Sequence, residues 1–327
     1  MKTYNHLWDG FVSEGNIEFA VRRALRNKRK SREIRDFLAN RAEVTAQVRQ
    51  SLIDGTFKTA TYRSKIVHEP KRREILILPF APDRIVHHAL MNILTPIWDA
   101  MFCSDSYACR PGYGIKGASD RCMQFVRKNK YYLQCDVRKF YPTMHHETMF
   151  NIIRRKIKDK KILAILRDIL KSVDGETGLP IGNFCSQWFG NLYLNELDTF
   201  VKHELRAKNY LRYCDDFCLF SNDKKELGIW QEKIRLFMLE KLHLTFSFSE
   251  ISTVKNGVDF LGYRHFPKFV KIRKTTLRRI KRRLKKLLAI PKAVRDADLH
   301  IRCQIGSMHG WTKHASTNLG NIMKRFD

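Results

Sequence analysis

Three carboxylates in this chain are set among residues that would bury them. In Leu211-Arg212-Tyr213-Cys214-Asp215-Asp216-Phe217-Cys218-Leu219-Phe220, aromatic and apolar residues run up to two adjacent acids and then resume. Strand, tight turn, strand is the natural reading, with buried flanks and the Asp pair at the tip. Neighbouring carboxylates in apolar surroundings repel each other and resist ionisation unless a cation offsets them. A hard divalent ion such as Mg²⁺ takes oxygen ligands and works with phosphates. An exposed Asp-Asp turn is the plainer alternative, since Asp is common in turns. A third acid, Asp136, closes the β-rich run Tyr131-Tyr132-Leu133-Gln134-Cys135-Asp136-Val137. It lies 79 positions before Asp215, so only the fold can bring the two together.

The chain that must position these acids has 327 residues, enough for two or three packed subdomains, and 43% hydrophobic content, which is ordinary for a globular protein. Its charge is not ordinary: 62 Lys and Arg against 33 Asp and Glu, formally +29. Nucleic acid is the first partner to expect of so basic a globular chain, an acidic membrane surface the second. No apolar run reaches the roughly 18 residues of a spanning helix, and charges throughout the first 25 residues leave no signal-peptide core. A cytoplasmic protein is expected. Its eight cysteines, Cys103, Cys109, Cys122, Cys135, Cys185, Cys214, Cys218 and Cys303, form no CxxC pair. They read as small buried apolar residues rather than zinc ligands or disulfides.

Residues 1–60 read as helical, with Ile17, Val21, Leu25, Ile34, Phe37 and Leu38 at helical spacing and a basic band from Arg22 to Arg32. Glu69-Pro70-Lys71-Arg72-Arg73-Glu74-Ile75-Leu76-Ile77-Leu78 is a basic turn entering an apolar strand, suited to gripping triphosphate oxygens. Pro82-Asp83-Arg84 opens a helix with Val86, Leu90, Ile93, Leu94, Ile97 and Met101 inward. Ser106-Tyr107-Ala108-Cys109-Arg110-Pro111-Gly112-Tyr113-Gly114 is a loop whose glycines permit close backbone approach. One helical stretch is expected from Ile152 to Leu170, a loop from Gly178 to Asn183, and a helix beginning at Ser186 and Gln187. Leu227 to Leu242 is amphipathic helix. Lys268 to Lys286 holds eleven Lys and Arg and no acid, and reads as a basic helix with Leu277, Ile280, Leu284, Leu287 and Leu288 inward. Such a helix suits a nucleic-acid duplex or a membrane surface. A last packed segment centres on Trp311.

Taken in order, these pieces resemble the reverse transcriptases. Asp136 in Cys-Asp-Val-Arg-Lys-Phe-Tyr-Pro looks like the first catalytic motif, Gly178 to Gln187 like the second, Tyr213-Cys214-Asp215-Asp216 like the YxDD box and Phe260-Leu261-Gly262-Tyr263 like the primer grip. Lys-Arg-Arg-Glu-Ile, Pro-Asp-Arg-Ile-Val-His-His-Ala-Leu and Ser-Tyr-Ala-Cys-Arg-Pro-Gly-Tyr-Gly resemble fingers motifs of the prokaryotic branch. Within that branch, the Ser-Gln ending of Gly-Leu-Pro-Ile-Gly-Asn-Phe-Cys-Ser-Gln is similar to the enzymes of diversity-generating retroelements, and some phage-defence reverse transcriptases carry it too.

The resemblance implies an α+β right-hand polymerase with an antiparallel palm sheet, helical fingers and a short helical thumb. Residues 1–60 would be an N-terminal helical extension, 61–265 fingers and palm, and 266–327 a basic helical thumb. Asp136, Asp215 and Asp216 would be catalytic, and with the Val137 carbonyl would hold two Mg²⁺ ions, or Mn²⁺. Lys71 and Arg73 would clamp the triphosphate, Tyr141 would exclude a ribose 2′-OH, and Ile181 and Gln187 would lie near the incoming nucleotide. Arg110, Lys274, Arg278, Arg282 and Lys285 would bind nucleic acid. The implied activity is RNA-directed DNA synthesis from a template RNA and dNTPs through a cDNA/RNA hybrid, with adenine-directed mutagenesis and a small helical accessory protein. A defence reverse transcriptase is the near alternative, and a non-catalytic RNA-binding protein or a metal nuclease the distant ones. Two departures stand out: Leu244 to Ser249 lacks the Lys that often assists pyrophosphate release, and Phe184-Cys185 and Gly190 replace an expected Leu-Thr and Ala.

Overall fold

A computed structural model describes residues 2–26, 28, 31–68 and 72–315 of the chain. In chain order the elements are α1 (Trp8–Val12), α2 (Glu14–Leu25), α3 (Arg32–Ala39), α4 (Arg41–Ile53), β1 (Arg63–Val67), β2 (Arg73–Ile77), α5 (Ile85–Asp99), α6 (Ile115–Lys128), β3 (Tyr131–Val137), α7 (Phe140–Thr143), α8 (His146–Lys156), α9 (Lys160–Lys171) and α10 (Phe184–Thr199). There follow β4 (Tyr210–Tyr213), β5 (Asp216–Ser221), α11 (Lys224–Leu242), β6 (Phe246–Thr253), β7 (Val258–Phe260), β8 (Tyr263–His265), β9 (Val270–Ile272), α12 (Lys274–Leu288), α13 (Lys292–Ala297) and α14 (Leu299–His314). They gather into two compact units: one from the segments up to Cys103, Val137–Phe200 and Ile234–Ser247, the other from Ser104–Asp136, Val201–Lys233 and Phe248 onward.

In the first unit the expected N-terminal periodicity forms α1 to α4. Ile17, Val21 and Leu25 bury on α2, while Arg22 and Arg23 stay exposed on its other face. Ser13 and Ser31 cap α2 and α3 by accepting from the amides of Asn16 and Ile34. β1 and β2 form an antiparallel ribbon that pairs Val67 with Arg73. The single helix expected from Ile152 to Leu170 is instead two. Asp159 breaks it: one carboxylate oxygen caps α9 through the amides of Lys161 and Ile162, and the other takes the amides of Leu7 and Trp8 at the start of α1. An acid that satisfies four otherwise orphaned donors outweighs one more helical turn.

In the second unit four strands form a sheet in the order β4-β5-β3-β6, with β4–β5 and β3–β5 antiparallel. Under it, Cys122, Phe125 and Val126 of α6 pack with Tyr132, Leu211, Cys218, Phe220, Val258 and Phe260. The basic run from Lys268 departs from the expected helix at its start. Val270 and Ile272 alternate inward as β9, completing an antiparallel meander with β7 and β8, and only then does α12 begin. A period of two in Val-Lys-Ile outvotes the helical spacing downstream.

A buried polar relay ties this meander to α6 and α14. His265 Nδ1 faces the Val258 carbonyl at 3.2 Å, so it must carry the proton and donate. Its Nε2 is then an acceptor, taking the Ser119 hydroxyl proton at 2.6 Å, and Ser119 Oγ in turn accepts from His314 Nε2 at 2.5 Å. Burial holds the His265 imidazole down to about 4, with the neighbouring His314 adding to the effect and Asp120 and the Val258 carbonyl opposing it. Its unfolded value is near 6.5, so the unfolded chain takes up the proton first as pH falls. The stability that His265 contributes is therefore whole above about 6.5 and is lost from there down towards 4. Between pH 7 and 5 the loss is about 2 kcal/mol. Urea unfolding of wild type and His265→Asn at both pH values measures it. The expected result is a smaller pH 7-to-5 loss in the variant by about that amount, and equal losses in the two proteins contradict the buried neutral imidazole.

Candidate active site

The hairpin expected at the Asp pair is built as β4, a two-residue turn of Cys214 and Asp215, and β5, with Tyr213 paired to Asp216. Across the sheet Asp136 is the register partner of Asp216. The pairing that 79 residues of sequence left open is thus made by one strand register, which puts directly opposite Cα atoms about 4.5–5.5 Å apart. Asp215 adjoins the pair in the turn.

Two residues that sequence reading passed over support this corner. Gln134 stands two positions before Asp136 and so on the same face of β3. Its side-chain amide donates to Asp216 Oδ1 at 3.3 Å and to the Asp259 carbonyl at 2.8 Å. Asp259 is itself held by Arg273, whose Nε donates to Oδ1 at 2.6 Å. Arg212, 0% exposed in an otherwise apolar strand, donates from Nη1 to the Cys214 carbonyl at 3.1 Å. That contact braces a turn in which Cys214 takes a left-handed φ of 54°, costly for a residue with a Cβ. The Arg212 amide donates to the Asp105 carbonyl at 2.9 Å, and its carbonyl accepts from the Tyr107 amide at 3.0 Å. The buried Asp105 carboxylate is paired with Arg121 at 2.8 Å and Lys202 at 2.9 Å. The signal for both supporting residues was available: a lone Gln and a lone Arg inside apolar strands.

The electrostatics of the corner follow from its composition. Burial pushes the Asp216 carboxyl up to about 7, the charges of Asp136 and Asp215 push the same way, and the Gln134 hydrogen bond and Arg273 oppose them. A buried carboxyl raised by its burial and its acidic neighbours is stabilised in its charged form by an added cation. Among the described residues no three His, Cys, Asp or Glu side chains are assembled into a ready metal cage. Mg²⁺ does not demand one, since it keeps water and takes substrate phosphate oxygens beside one or two carboxylates. Clustered carboxylate oxygens, one of them on a buried carboxyl raised to about 7, therefore fit that ion.

Lys274, Arg278, Arg282 and Lys285 are exposed on one face of α12, opposite the buried Ile280, Leu284 and Leu287. Arg110 is buried: it donates to the Ser106 carbonyl at 2.9 Å and lies 4.0 Å over the Tyr113 ring, so it holds its own loop together. The cysteines depart from the expectation that all are buried, for Cys109 and Cys303 are exposed and Cys103 and Cys214 are half-buried. The Cys214 thiol is hydrogen-bonded to Cys109, which lowers Cys109 to about 7 and, together with burial, raises Cys214.

The remaining expected residues belong to the first unit, except Lys71, which lies outside the described residues. Val137, buried, ends β3 directly after Asp136. Arg73 is exposed at the start of β2, and Gln187 is exposed in the first turn of α10. The Ile181 carbonyl accepts from the Leu76 amide at 2.9 Å, which ties the 178–183 loop to β2. Ser186 of the Ser-Gln pair donates to the Pro180 carbonyl at 2.8 Å and closes that loop. Half-buried Tyr141 lies beside Gly190, where a Cβ would sit 3.1 Å from Phe140 Cε1 and 3.4 Å from the Tyr141 hydroxyl.

Residues 69–265 match the reverse transcriptase (RNA-dependent DNA polymerase) family, and the chain belongs to it. Protein YkfC of Escherichia coli is 25% identical over 279 residues, covering 69% of this chain and 72% of that protein. The group II intron-encoded protein LtrA of Lactococcus lactis is 23% identical over 295 residues, and its match takes in 68% of this chain but 49% of LtrA, so the chain spans about half of that relative. In fold, apo telomerase from Candida tropicalis superposes with a TM-score of 0.53 at 12% identity, over 88% of this chain and 66% of that one. The α+β right-hand polymerase architecture follows from the family and this likeness, as the sequence implied.

The 178–183 loop generates a direct test. Gly182 has φ 118°, and a Cβ there would meet Ile75 Cγ2 at 2.7 Å and the Leu76 carbonyl oxygen at 3.0 Å. Gly182→Ala is expected to destabilise by about 1–3 kcal/mol through backbone strain alone. Thermal unfolding checks this, and an unchanged Tm contradicts the positive φ at Gly182.

Proposed function

We propose that this reverse transcriptase copies a template RNA into cDNA for a diversity-generating retroelement, adding deoxynucleotides at Asp136, Asp215 and Asp216. The observation that carries the reading is the register partnership of Asp136 with Asp216, with Asp215 in the adjoining turn. These carboxylates and the Val137 carbonyl would hold divalent metal, Mg²⁺ or Mn²⁺. Bound there, the metal supplies Lewis-acid charge for the primer 3′-oxygen and the departing pyrophosphate. Gln134 and Arg212 position the acids through the hydrogen bonds they donate. Phosphoryl transfer asks little covalent chemistry of a protein, so positioning and charge carry most of the catalysis.

The other roles follow the family resemblance. Lys71 and Arg73 clamp the triphosphate, and the Tyr141 ring excludes a ribose 2′-OH by its volume. Ile181 and Gln187 contact the nucleotide or template base. The exposed row Lys274, Arg278, Arg282 and Lys285 on α12 supports a thumb, 266–327, that follows the hybrid by backbone charge and shape. Arg110 orders the 106–114 loop at the nucleic acid. Residues 1–60 are an extension before the fingers and palm of 61–265. A small helical accessory protein is the expected partner. No described helix is long and apolar enough to cross a membrane. The Ser186-Gln187 pair supports the retroelement subclass.

Primer extension on an RNA template with Mg²⁺ and dNTPs tests the reading. The wild type is expected to make full-length cDNA, and Asp215→Asn to make at least 10³-fold less while still retaining RNA on a filter, because the variant removes charge and not fold. Normal extension by the variant contradicts the carboxylate assignment, and RNA retention without extension by the wild type favours a binding protein. Sequencing the cDNA tests the subclass: errors concentrated at template adenines support the retroelement, and evenly spread errors contradict it.

A further inference from the structure

Cys109 and Cys214 come from different segments and meet beside the acidic turn. The segment from Asp105 to Tyr107 pairs in parallel with Arg212, through the Tyr107 amide at 3.0 Å and the Arg212 amide at 2.9 Å. Two residues beyond the paired positions, both backbones turn left-handed, with φ 56° at Cys109 and 54° at Cys214. Neither residue is a glycine, and the two turns bring the thiols into hydrogen-bond contact. Cys109 is exposed and Cys214 half-buried, so a small oxidant reaches the pair from solvent. The buried thiols of Cys122, Cys135, Cys185 and Cys218 have no such access.

We propose that Cys109 and Cys214 form a redox-modification site, in which peroxide closes a disulfide that reversibly stops nucleotide addition at the neighbouring Asp215. In the first step the Cys109 sulfur attacks hydrogen peroxide. An S–O bond forms, the O–O bond breaks, and water leaves, giving a sulfenic acid. In the second step the Cys214 sulfur attacks the sulfenic sulfur. The S–S bond forms, the S–O bond breaks, and a second water leaves. Two thiols and one peroxide thus become one disulfide and two waters, and a dithiol reductant reverses the result by exchange.

The coupling to synthesis is geometric. A disulfide sets its sulfurs about 2.05 Å apart, well inside the contact distance of two hydrogen-bonded thiols. Closing that gap draws on a turn of two residues, of which the second is Asp215. A displacement of about 1 Å in a reacting group can cost on the order of 100-fold in rate. In the reduced state Arg212 holds the same turn through the Cys214 carbonyl, so the backbone has little slack to absorb the bond. The effect on synthesis rests on the role proposed for Asp215, whereas formation of the bond does not.

The experiment uses the full chain with hydrogen peroxide as the probe. Protein is oxidised, alkylated, digested without reductant and analysed by mass spectrometry, and the same samples are assayed by primer extension before and after dithiothreitol. The expected result is a Cys109–Cys214 linked peptide, a loss of extension of about 100-fold, and recovery on reduction. Cys109→Ser is expected to form no such peptide and to keep its extension through the treatment. Oxidation without that linked peptide, a linked protein that extends normally, or a Cys109→Ser protein inactivated as fast as wild type each overturns the proposal. If the reduced wild type extends no primer, the functional reading fails instead, and the linked peptide alone then decides the redox site.

Discussion

Two carboxylates opposed across paired strands, with a third in the adjoining turn, set the terms for what surrounds them. Burial first, and the neighbouring carboxylates second, raise the Asp216 carboxyl to about 7. The protein braces these acids with polar contacts of its own. It fixes the acids from outside, through Gln134 on one side and the braced turn above Arg212 on the other. Further out, Asp105 with Arg121 and Lys202, and Asp259 with Arg273, anchor the segments that supply those contacts.

Much of this was legible in the residues, and the illegible part has identifiable causes. The hairpin at Asp215 could be read because its flanks are continuous runs of strand formers that leave the acids nowhere but the tip. The Asp136 partnership could not, because strand register over 79 residues leaves no local trace. The helix expected from Ile152 to Leu170 split at Asp159, whose second oxygen serves α1, a contact from the far end of the sequence. β9 hid inside a basic run because three residues of alternation are short beside fifteen of helix. Gln134 and Arg212 were visible as polar residues in apolar strands, but what they hold depends on the fold.

The departures from the family pattern gain physical content. Gly190 leaves an opening beside Phe140 and Tyr141 that an alanine would narrow to 3.1 Å. Cys185 is fully buried, with its thiol on the His87 carbonyl at 3.8 Å, where a threonine hydroxyl would carry a stronger donor. Phe184 stacks on His88 with ring centroids 4.4 Å apart. These are changes in packing around the start of α10.

The role proposed for the three acids is to share divalent cation. The most direct measurement is Mn²⁺ binding followed by electron paramagnetic resonance, with the full chain, a primer–template hybrid and a non-hydrolysable dNTP analogue. Two bound ions per chain in wild type, falling to one or none in Asp136→Asn, is the predicted result. Undiminished Mn²⁺ occupancy in that variant would contradict it, because the cation would then be held somewhere other than across β3 and β5.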